Sequence, residues 1–281
     1  MTLTVLIDNC LPVGSSLLAE SGFAVLVACE GRRVLFDTGA SSLLLQNAQA
    51  LGVSLADLDY IVLSHHHSDH TGGLWALAEL YAQRPPDQRP EVICHPDLFA
   101  KRDLAPGFPP AISQRELGRS FSLTLVRERL MLSPSLGFLT GIPRNSHEPQ
   151  QVFGMVDRVD GRREPDTTPE EGLLYFLSGG RLFVLTGCTH SGVCNLVRHA
   201  KARTGVDHVA AVAGGLHLID RPEDELLATA SVLAQERVER LYAMHCTDLA
   251  ACIALSHHLP VSQLRCGETL EGRVDMRNEL S

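Results

Sequence analysis

Four histidines and an aspartate lie within six residues of this sequence, between a mostly apolar run at 58–63 and a glycine pair. Residues two apart on a strand point to the same side, so His65 and His67 would face one point. The turn that follows can bend Asp69 and His70 toward the same point. Imidazole and carboxylate ligands together suit zinc, iron or manganese. We therefore expect a metal site in this stretch.

A solvated, histidine-rich surface tract is the alternative explanation for this cluster. The run at 58–63 predicts a buried strand rather than a disordered tract. Imidazole and carboxylate groups at the end of a buried strand need partners, and a bound cation supplies one. The sequence therefore favours the metal site.

Three further histidines follow predicted strands. Apolar segments are followed by a histidine and then a helix at four places, and the histidines are His65, His190, His217 and His245. Ligands in layered α/β folds gather where the ends of strands meet. We therefore expect these histidines, which are far apart in the chain, to share one site.

The remaining pattern predicts mixed α/β structure. Residues 4–9, 23–29 and 33–36 are predicted to form consecutive antiparallel strands, and the Ser-Gly-Gly at 178–180 predicts a hairpin. Polar/apolar alternation predicts β structure at 113–126, whereas the proline-rich segment 101–110 is predicted to be irregular.

Composition limits the class of protein. A chain of 281 residues fits one large α/β domain or two small ones. Its net charge of −9 argues against non-specific binding to nucleic acid. The N-terminus lacks a signal-peptide pattern, and no apolar run reaches the roughly 20 residues of a membrane span. We expect a cytoplasmic protein whose eight cysteines are reduced.

The motif Ser64-His65-x-His67-x-Asp69-His70 resembles the signature of the metallo-β-lactamase superfamily. Upstream, the segment 36–39, Phe-Asp-Thr-Gly, resembles the turn that precedes this signature in the superfamily. The resemblance implies an α/β (α+β) fold, the four-layer αββα sandwich. It also implies a single domain over residues 1–281. Within it, the polar, proline-containing segment 145–171 predicts a mobile loop or an insertion near the site.

The resemblance extends over most of the chain and is strongest to one branch of the superfamily. That branch includes an archaeal dihydropterin–aminobenzene ribofuranosyl phosphate synthase and many bacterial proteins of unassigned substrate. The further matching positions are Asn47, 51–53, Asp59, 72–73, 94–96, 141–144, 187–192, 214–218 and 245–247.

The ligand set implied by this resemblance holds two divalent metal ions. A catalytic zinc with three protein ligands leaves a position for water, and two ions can share a hydroxide that attacks the substrate. Zn²⁺ suits an imidazole-rich site best, with Mn²⁺ or Fe²⁺ as alternatives. Asp69 and His217 are the candidate catalytic residues. The two predicted ligand triads are His65, His67 and His190 for one ion, and Asp69, His70 and His245 for the other.

Two assignments within this set stay open. The aspartate that bridges the metals elsewhere in the superfamily is replaced here by Cys188, which is either a soft ligand or leaves the site without a bridge. His217 competes with His245 as the last ligand, and we favour His245.

Three other residues are predicted around the centre. Asp37 is either a turn residue bonded to its own backbone or a carboxylate that orients the histidine ligands. Arg144 is a candidate substrate contact, because a guanidinium binds phosphate or carboxylate through two hydrogen bonds. His95 is a candidate substrate contact or a structural histidine.

These features predict a metal-dependent hydrolase, or a transferase that acts on phosphate or pyrophosphate esters. The resemblance suggests a pterin-like or phosphorylated small molecule, and we expect an anionic substrate, no nucleic acid and no membrane partner. The alternative is a non-catalytic small-molecule binding or carrier protein on the same fold. The oligomeric state is left open.

Overall fold

The computed structural model describes residues 1–103, 113–145, 148 and 151–272 of the chain. Most of the segment predicted to be irregular, 101–110, lies outside these residues. The strands of the described part are, in chain order, β1 (Thr2–Ile7), β2 (Ala24–Cys29), β3 (Arg32–Phe36), β4 (Tyr60–Val62), β5 (Glu91–Cys94), β6 (Lys101–Arg102), β7 (Ser122–Leu125), β8 (Arg129–Met131), β9 (Leu136–Thr140), β10 (Met155–Asp157), β11 (Arg163–Pro165), β12 (Gly172–Ser178), β13 (Arg181–Thr186), β14 (Val209–Gly215), β15 (Leu241–Met244), β16 (Val261–Gln263) and β17 (Thr269–Glu271). The α-helices of the same part are α1 (Leu43–Ala50), α2 (Ser68–Thr71), α3 (Leu74–Tyr81), α4 (Gln114–Ser120), α5 (Val193–Thr204), α6 (Glu223–Gln235) and α7 (Leu249–Ser256).

Two seven-stranded sheets form the centre of the described structure. The first has the order β17-β1-β2-β3-β4-β5-β7, and the second has the order β16-β15-β14-β13-β12-β9-β8. The first three strands pair antiparallel and β12 and β13 form a hairpin, as predicted. From β13 to β16 the pairing is parallel, so these strands end at the same edge.

Three apolar cores lie between four layers, which are the two sheets and a layer of helices on the outer face of each sheet. In the middle core, Phe36 and Val62 of the first sheet pack in one cluster with Leu185 and Met244 of the second. A second core joins the first sheet to α1, α3 and α4, and a third joins the second sheet to α5 and α6. The four-layer αββα sandwich predicted from the sequence is therefore confirmed.

The glycine pair at 72–73 lets α3 begin close to the turn that follows β3. A Cβ atom on Gly73 would lie 2.1 Å from the carbonyl oxygen of Thr38, and one on Gly72 would lie 2.2 Å from that of Ala40. No larger residue fits either position without moving backbone. The histidine-rich segment is thereby held against the end of β3.

The prediction of continuous β structure over 113–126 is wrong, because α4 occupies its first half. Ser113 caps this helix by accepting a hydrogen bond from the backbone N–H of Glu116. Leu117 is buried beneath the helix in the core of the first sheet. The capping residue and one buried position decide the structure here, and β7 begins only at Ser122.

Residues 145–171 contain local structure near the site. The hairpin of β10 and β11 pairs with β6 in a small three-stranded sheet. Glu170 and Glu171, at the end of the segment, are fully buried. The single-domain interpretation of residues 1–281 stays a prediction. Within the described residues, every helix is too short or too polar to cross a lipid bilayer.

Candidate metal centre

The histidine-rich segment is a turn and a short helix rather than the end of a strand. Strand β4 ends at Val62, so the prediction that His65 and His67 alternate along a strand is wrong. Their rings nevertheless lie with centroids 4.6 Å apart. The carbonyl oxygen of His67 accepts hydrogen bonds from the N–H of His70 and the hydroxyl of Thr71, which begins α2. This turn brings Asp69 and His70 to the same place.

The second sheet contributes the remaining histidines from the ends of three adjacent parallel strands. His190 follows β13, His217 follows β14 and His245 follows β15. Because parallel strands end at one edge, these residues meet the histidine-rich turn across the gap between the two sheets. The predicted convergence of these histidines on one site therefore follows from the parallel pairing of β13, β14 and β15.

The first candidate triad consists of His65, His67 and His190. One ring nitrogen from each lies within 4.8 Å of the other two. The Nε2 atoms of His65 and His190 are only 3.2 Å apart, and both side chains are buried.

The second candidate triad consists of Asp69, His70 and His245, with ligand atoms again within 4.8 Å of one another. The Nε2 atoms of His70 and His245 are 3.3 Å apart. The Oδ2 atom of Asp69 lies 3.4 Å from Nε2 of His245. Its side chain is about one-third exposed, at 32%.

Hydrogen bonds on the far side of the rings fix the tautomers of His65 and His70. Asp37 Oδ2 accepts a hydrogen bond of 2.7 Å from Nδ1 of His70 and one of 2.6 Å from the hydroxyl of Ser64. The Ser64 hydroxyl, having donated its proton, accepts from Nδ1 of His65 at 2.8 Å. Both rings therefore carry hydrogen on Nδ1 and direct Nε2 toward the centre, as the atom that a metal ion would bind.

His245 is oriented in the same way. Its Nδ1 donates to Oδ1 of Asn9 at 2.8 Å, and that oxygen also accepts the backbone N–H of Gly22. The backbone N–H of His245 donates to Oδ2 of Asp8 at 2.8 Å. The Nε2 atom of His245 is thus also directed inward.

This donor set fits divalent metal ions. The Nε2 atoms of His70 and His245 face each other at 3.3 Å, and Nε2 of His245 also lies near the Asp69 carboxylate. The buried Nδ1 of His190 has no hydrogen-bond partner in the described structure. In the metal-free protein a proton on His70 Nε2 stabilises this buried arrangement, and a bound divalent cation can take the place of that proton. Three imidazoles, or two imidazoles and a carboxylate, are ligand sets that zinc accepts.

The pKa values of the histidines in the metal-free protein also indicate that the two triads can bind cations. Burial and neighbouring imidazoles lower the pKa values of His65 and His190, and that of His67 falls to about 3. Burial also opposes protonation of His70, but the carboxylates of Asp69 and Asp37 outweigh it and raise its pKa to about 9. The first triad therefore keeps its lone pairs free at neutral pH, while the second attracts positive charge.

Several non-glycine residues around the centre adopt left-handed backbone conformations. The φ angles are +57° at Asp37, +61° at Thr189, +51° at His217 and +48° at His245. Such conformations cost on the order of 1 kcal/mol or more for residues other than glycine, and they cluster at functional sites. All four follow the ends of strands that border the centre.

Cys188 lies between the two triads. Its Sγ atom is 3.3 Å from Nε2 of His70. It can be grouped with His65 and His70, with His190 and His217, or with His245 and Cys246.

His217 lies beside the first triad, and its ring centroid is 4.4 Å from that of His190. Its Nε2 donates to the amide oxygen of Gln151 at 2.5 Å. Its ligand-type groupings include Cys188 and His190, but none with Asp69 or His70. The geometry therefore favours His245 over His217 in the second triad.

Two buried glutamates that sequence analysis missed support the ligand loops. Glu171 accepts the backbone N–H groups of His190 and Ser191 at 2.6 and 2.7 Å. Glu170 accepts from Nδ1 of His66 at 2.6 Å and pairs with Arg102 at 2.7 Å. The available signal was two adjacent acidic residues immediately before the apolar run of β12.

The two predicted substrate contacts have structural partners. Arg144 donates to the carbonyl oxygens of His190 and Thr168 at 3.1 and 2.8 Å, and burial lowers its pKa. His95 is buried and accepts the N–H of Asp97 at 3.1 Å, which caps a short 3₁₀ turn. Neither is among the described residues that line the cavity over the centre, so their substrate contacts stay predictions.

A cavity of about 350 Å³ opens over the centre. Phe153 forms part of its wall, with its ring centroid 4.7 Å from that of His67 and 5.1 Å from that of His190. A neighbouring open cavity extends past His217 to Arg221. The lining of the main cavity is Asn9, Ser21, His67, Ser68, Asp69, Gln151, Phe153, Cys188, His190, His217, Ile219, His245 and Cys246.

Comparison with known proteins identifies relatives of the whole chain. Residues 18–86 match the model of the metallo-beta-lactamase superfamily. The 7,8-dihydropterin-6-methyl-4-(beta-D-ribofuranosyl)-aminobenzene-5'-phosphate synthase of Methanocaldococcus jannaschii is 27% identical over 250 residues, which is 83% of each chain. The resemblance inferred from the motifs, including its branch, is thereby confirmed.

Solved structures share the fold. The crystal structure of Tm1679, described as a metal-dependent hydrolase of the beta-lactamase superfamily, has a TM-score of 0.81 and 26% identity. The match covers 97% of this chain and 99% of that one. The metallo-beta-lactamase fold protein YhfI from Bacillus subtilis has a TM-score of 0.60 over 96% of this chain and 99% of its own, at 13% identity. This second likeness concerns the fold alone.

Proposed function

We propose that this protein, which has the fold and the signature motif of the metallo-β-lactamase superfamily, is a metal-dependent hydrolase or a transferase of phosphate or pyrophosphate esters. Its substrate would be an anionic small molecule, either phosphorylated or pterin-like. The observation that carries the proposal is the pair of adjacent triads, in which ring nitrogens directed at the centre lie 3.2 and 3.3 Å apart.

His65, His67 and His190 would hold one divalent ion, and Asp69, His70 and His245 would hold a second. Zinc is the ion that an imidazole-rich set favours, and Mn²⁺ or Fe²⁺ are alternatives. Divalent ions held here would activate water and polarise the substrate.

The chain itself supplies groups that can move protons. Asp69 is the exposed member of the second triad, and it faces the cavity, where it can accept a proton from an attacking water. His217 presents Nε2–H to the amide oxygen of Gln151. A leaving oxygen of the substrate in the place of that amide would receive the same hydrogen bond. When its Nδ1 is also protonated, His217 could give the Nε2 proton to that oxygen and be left as neutral imidazole, which makes it the candidate proton donor.

The shape and charge of the surroundings support a small anionic substrate. A cavity of about 350 Å³ accommodates a compact molecule, and the ring of Phe153 gives it one aromatic wall. Arg221 lines the adjoining cavity and is the cation best placed to receive a distal anionic group. The net charge of −9 disfavours a nucleic-acid substrate. A pterin-like ring would suit the aromatic wall, and the named relative in Methanocaldococcus jannaschii supports that choice.

The proposal is tested by measuring metal content and then turnover. Elemental analysis of protein expressed with ample metal should give about two ions per chain. A panel of phosphomonoesters, phosphodiesters, pyrophosphate esters, lactams and thioesters should then include a hydrolysed or transferred substrate. His65→Ala should abolish that turnover, while the matched control His208→Ala, which removes an exposed histidine paired with Glu239, should retain it.

Two results would contradict the proposal. Protein that contains no metal after such expression would contradict the proposed metal-dependent mechanism. Saturable binding of a small molecule without any turnover across the panel would instead identify a carrier protein on the same fold.

A further inference from the structure

Cys188 occupies a position from which its side chain can reach both triads. Its Sγ atom and one nitrogen each from His65 and His70 lie within 4.8 Å of one another. His65 belongs to the first triad and His70 to the second. The sulfur is buried and lies 3.3 Å from Nε2 of His70.

A second thiol lies against this sulfur. The Sγ atoms of Cys188 and Cys246 are 3.4 Å apart, and all eight cysteines are free thiols. The backbone N–H of His217 donates to Sγ of Cys246 at 3.2 Å. With that acceptor position filled, the S–H of Cys246 is free to point at Cys188, giving a chain of hydrogen bonds that ends on the Cys188 sulfur.

The sheet is built to let the two sulfurs meet. Cys188 follows β13 and Cys246 follows β15, and β14 lies between these strands. Strand β14 ends in two glycines, and a Cβ atom on Gly215 would lie 2.6 Å from Sγ of Cys246. Any side chain at Gly215 would therefore push the thiols apart. The space between the ends of β13 and β15 is therefore occupied by the two sulfur atoms.

We propose that Cys188 is a thiolate ligand shared by the two metal ions, and that Cys246 is the hydrogen-bond donor that positions it. This inference rests on the proposed function, because it concerns the same metal centre. Binding of the ions forms the metal–sulfur bonds and breaks the S–H bond of Cys188, whose proton leaves to solvent. The soft ligand makes the centre select Zn²⁺ or Co²⁺ over Mn²⁺ and Mg²⁺, which favour oxygen ligands.

A thiolate also changes what the centre can do. Negative charge from Cys188 adds to that of Asp69, so the pair of ions keeps less net positive charge than five neutral imidazoles and one carboxylate would leave. Cys246, whose sulfur contacts the carbonyl oxygen of Cys188 at 3.6 Å, stays out of the ligand set and restrains the position of Cys188. Its role is positioning.

Cobalt substitution tests the proposal without measuring activity. Wild-type protein loaded with Co²⁺ under reducing conditions should bind about two ions and show a sulfur-to-cobalt charge-transfer absorption in the near ultraviolet. Cys188→Ser should lose this absorption and bind the second ion at least about 10-fold more weakly. Cys246→Ala should retain the absorption, with metal affinity reduced about 10- to 100-fold. The matched control Cys194→Ser, which alters a buried thiol on α5, should behave as wild type.

Two further measurements keep the test decisive if Cys188→Ser folds poorly. Cys188→Asp places a carboxylate at the same position and should bind both ions without the charge-transfer absorption. In metal-free wild-type protein, iodoacetamide should alkylate Cys188 slowly through the cavity that this residue borders. Bound cobalt should protect it from alkylation, as mass spectrometry of its peptide would report.

The outcomes separate this inference from the proposed function. Wild-type protein that binds about two cobalt ions without the charge-transfer absorption would overturn the role of Cys188 and leave the proposed function standing. Absorption that survives in Cys188→Ser but disappears in Cys246→Ala would overturn it by making Cys246 the ligand. Failure to bind any cobalt would overturn both.

Discussion

Asp37 and His70 are joined by a hydrogen bond of 2.7 Å between Oδ2 and Nδ1, although 33 residues separate them in the chain. The same carboxylate accepts the hydroxyl and the backbone N–H of Ser64. One buried side chain at the end of β3 therefore fixes the tautomer of a ligand in the second triad and, through Ser64, that of His65 in the first. The carboxylate couples the two halves of the candidate centre.

Replacing Asp37 by Asn tests this coupling. Asn tolerates the left-handed backbone at this position, so the substitution changes mainly the charge and the acceptor. Its single amide oxygen can replace only one of the two carboxylate oxygens, of which Oδ1 accepts the backbone N–H of Ser64 and Oδ2 accepts from the Ser64 hydroxyl and from His70. We therefore expect metal affinity to fall about 10- to 100-fold. Competition with a chromophoric chelator measures the change. Asp59→Asn, at a partly exposed carboxylate paired with Arg32, is the control and should bind metal normally. Unchanged affinity in Asp37→Asn would show that the carboxylate does not orient the ligands.

Gly187 keeps the second sheet close to that carboxylate. A Cβ atom at Gly187 would lie 2.3 Å from Oγ of Ser64 and 2.9 Å from Oδ2 of Asp37. Gly187→Ala should therefore cost about 1–3 kcal/mol of unfolding free energy through overpacking and should also weaken metal binding. Gly118→Ala is the control, because its nearest contact would be an ordinary 3.7 Å from Leu123. Urea unfolding and metal titration of both variants measure the two effects, and equal behaviour of the variants would exclude the steric argument.

The fold and most of the centre are readable from the sequence for a physical reason. Strand ends at one edge of a parallel sheet must converge, so the placement of His190, His217 and His245 after apolar strands is enough to predict a shared site. The motif at 64–70 identifies the other wall. These predictions succeed because each one depends on a short, continuous stretch of the sequence.

The unpredicted features depend on contacts between distant backbone atoms. Glu171 acts on N–H groups 19 and 20 residues away, and Arg144 acts on carbonyl oxygens 24 and 46 residues away. No spacing rule connects such residues. At 113–126 the wrong prediction of continuous β structure has a local cause. The polar/apolar alternation favours a strand, but Ser113 followed by Glu116 is a helix-capping signal. The roles of the predicted ligands stay predictions until metal is measured.

Glu170 gives a pH-dependent prediction for stability. Burial raises its pKa, but Arg102 and His66 outweigh burial and hold the pKa well below the usual 4.5. A carboxyl group whose folded-state pKa is lowered contributes stability above its unfolded pKa and loses it as the pH falls further. Glu170→Gln should therefore lower the free energy of unfolding by about 1–3 kcal/mol at neutral pH. The difference from wild type should persist down to about pH 4.5 and shrink below it.

Urea unfolding at a series of pH values measures this difference. Glu268→Gln is the control, because it removes a partly exposed pair with Arg265, and such pairs contribute about 0–1 kcal/mol. A difference for Glu170→Gln that grows as the solution is acidified would show that the carboxyl group is not held ionised in the folded protein.

Replacement by Ala should affect metal content and turnover differently at His217 and at His245. His245 has a bare Nε2 that lies 3.3 Å from His70 Nε2 and 3.4 Å from Asp69 Oδ2, so His245→Ala should lose about one metal ion per chain. His217 carries its hydrogen on Nε2, toward Gln151, so His217→Ala should keep both ions. Its kcat should fall about 10²- to 10⁴-fold, the range for loss of a general acid.

Elemental analysis and steady-state kinetics on the substrate identified by the panel distinguish the two variants. The exposed His257 lies just after α7, and His257→Ala serves as the control for both measurements. Metal loss in His217→Ala together with full metal content in His245→Ala would exchange the two assignments. The left-handed backbone at both histidines is a further constraint, since alanine tolerates it poorly. The Asn variants, which tolerate that conformation, should reproduce the same division and so separate the loss of the imidazole from backbone strain.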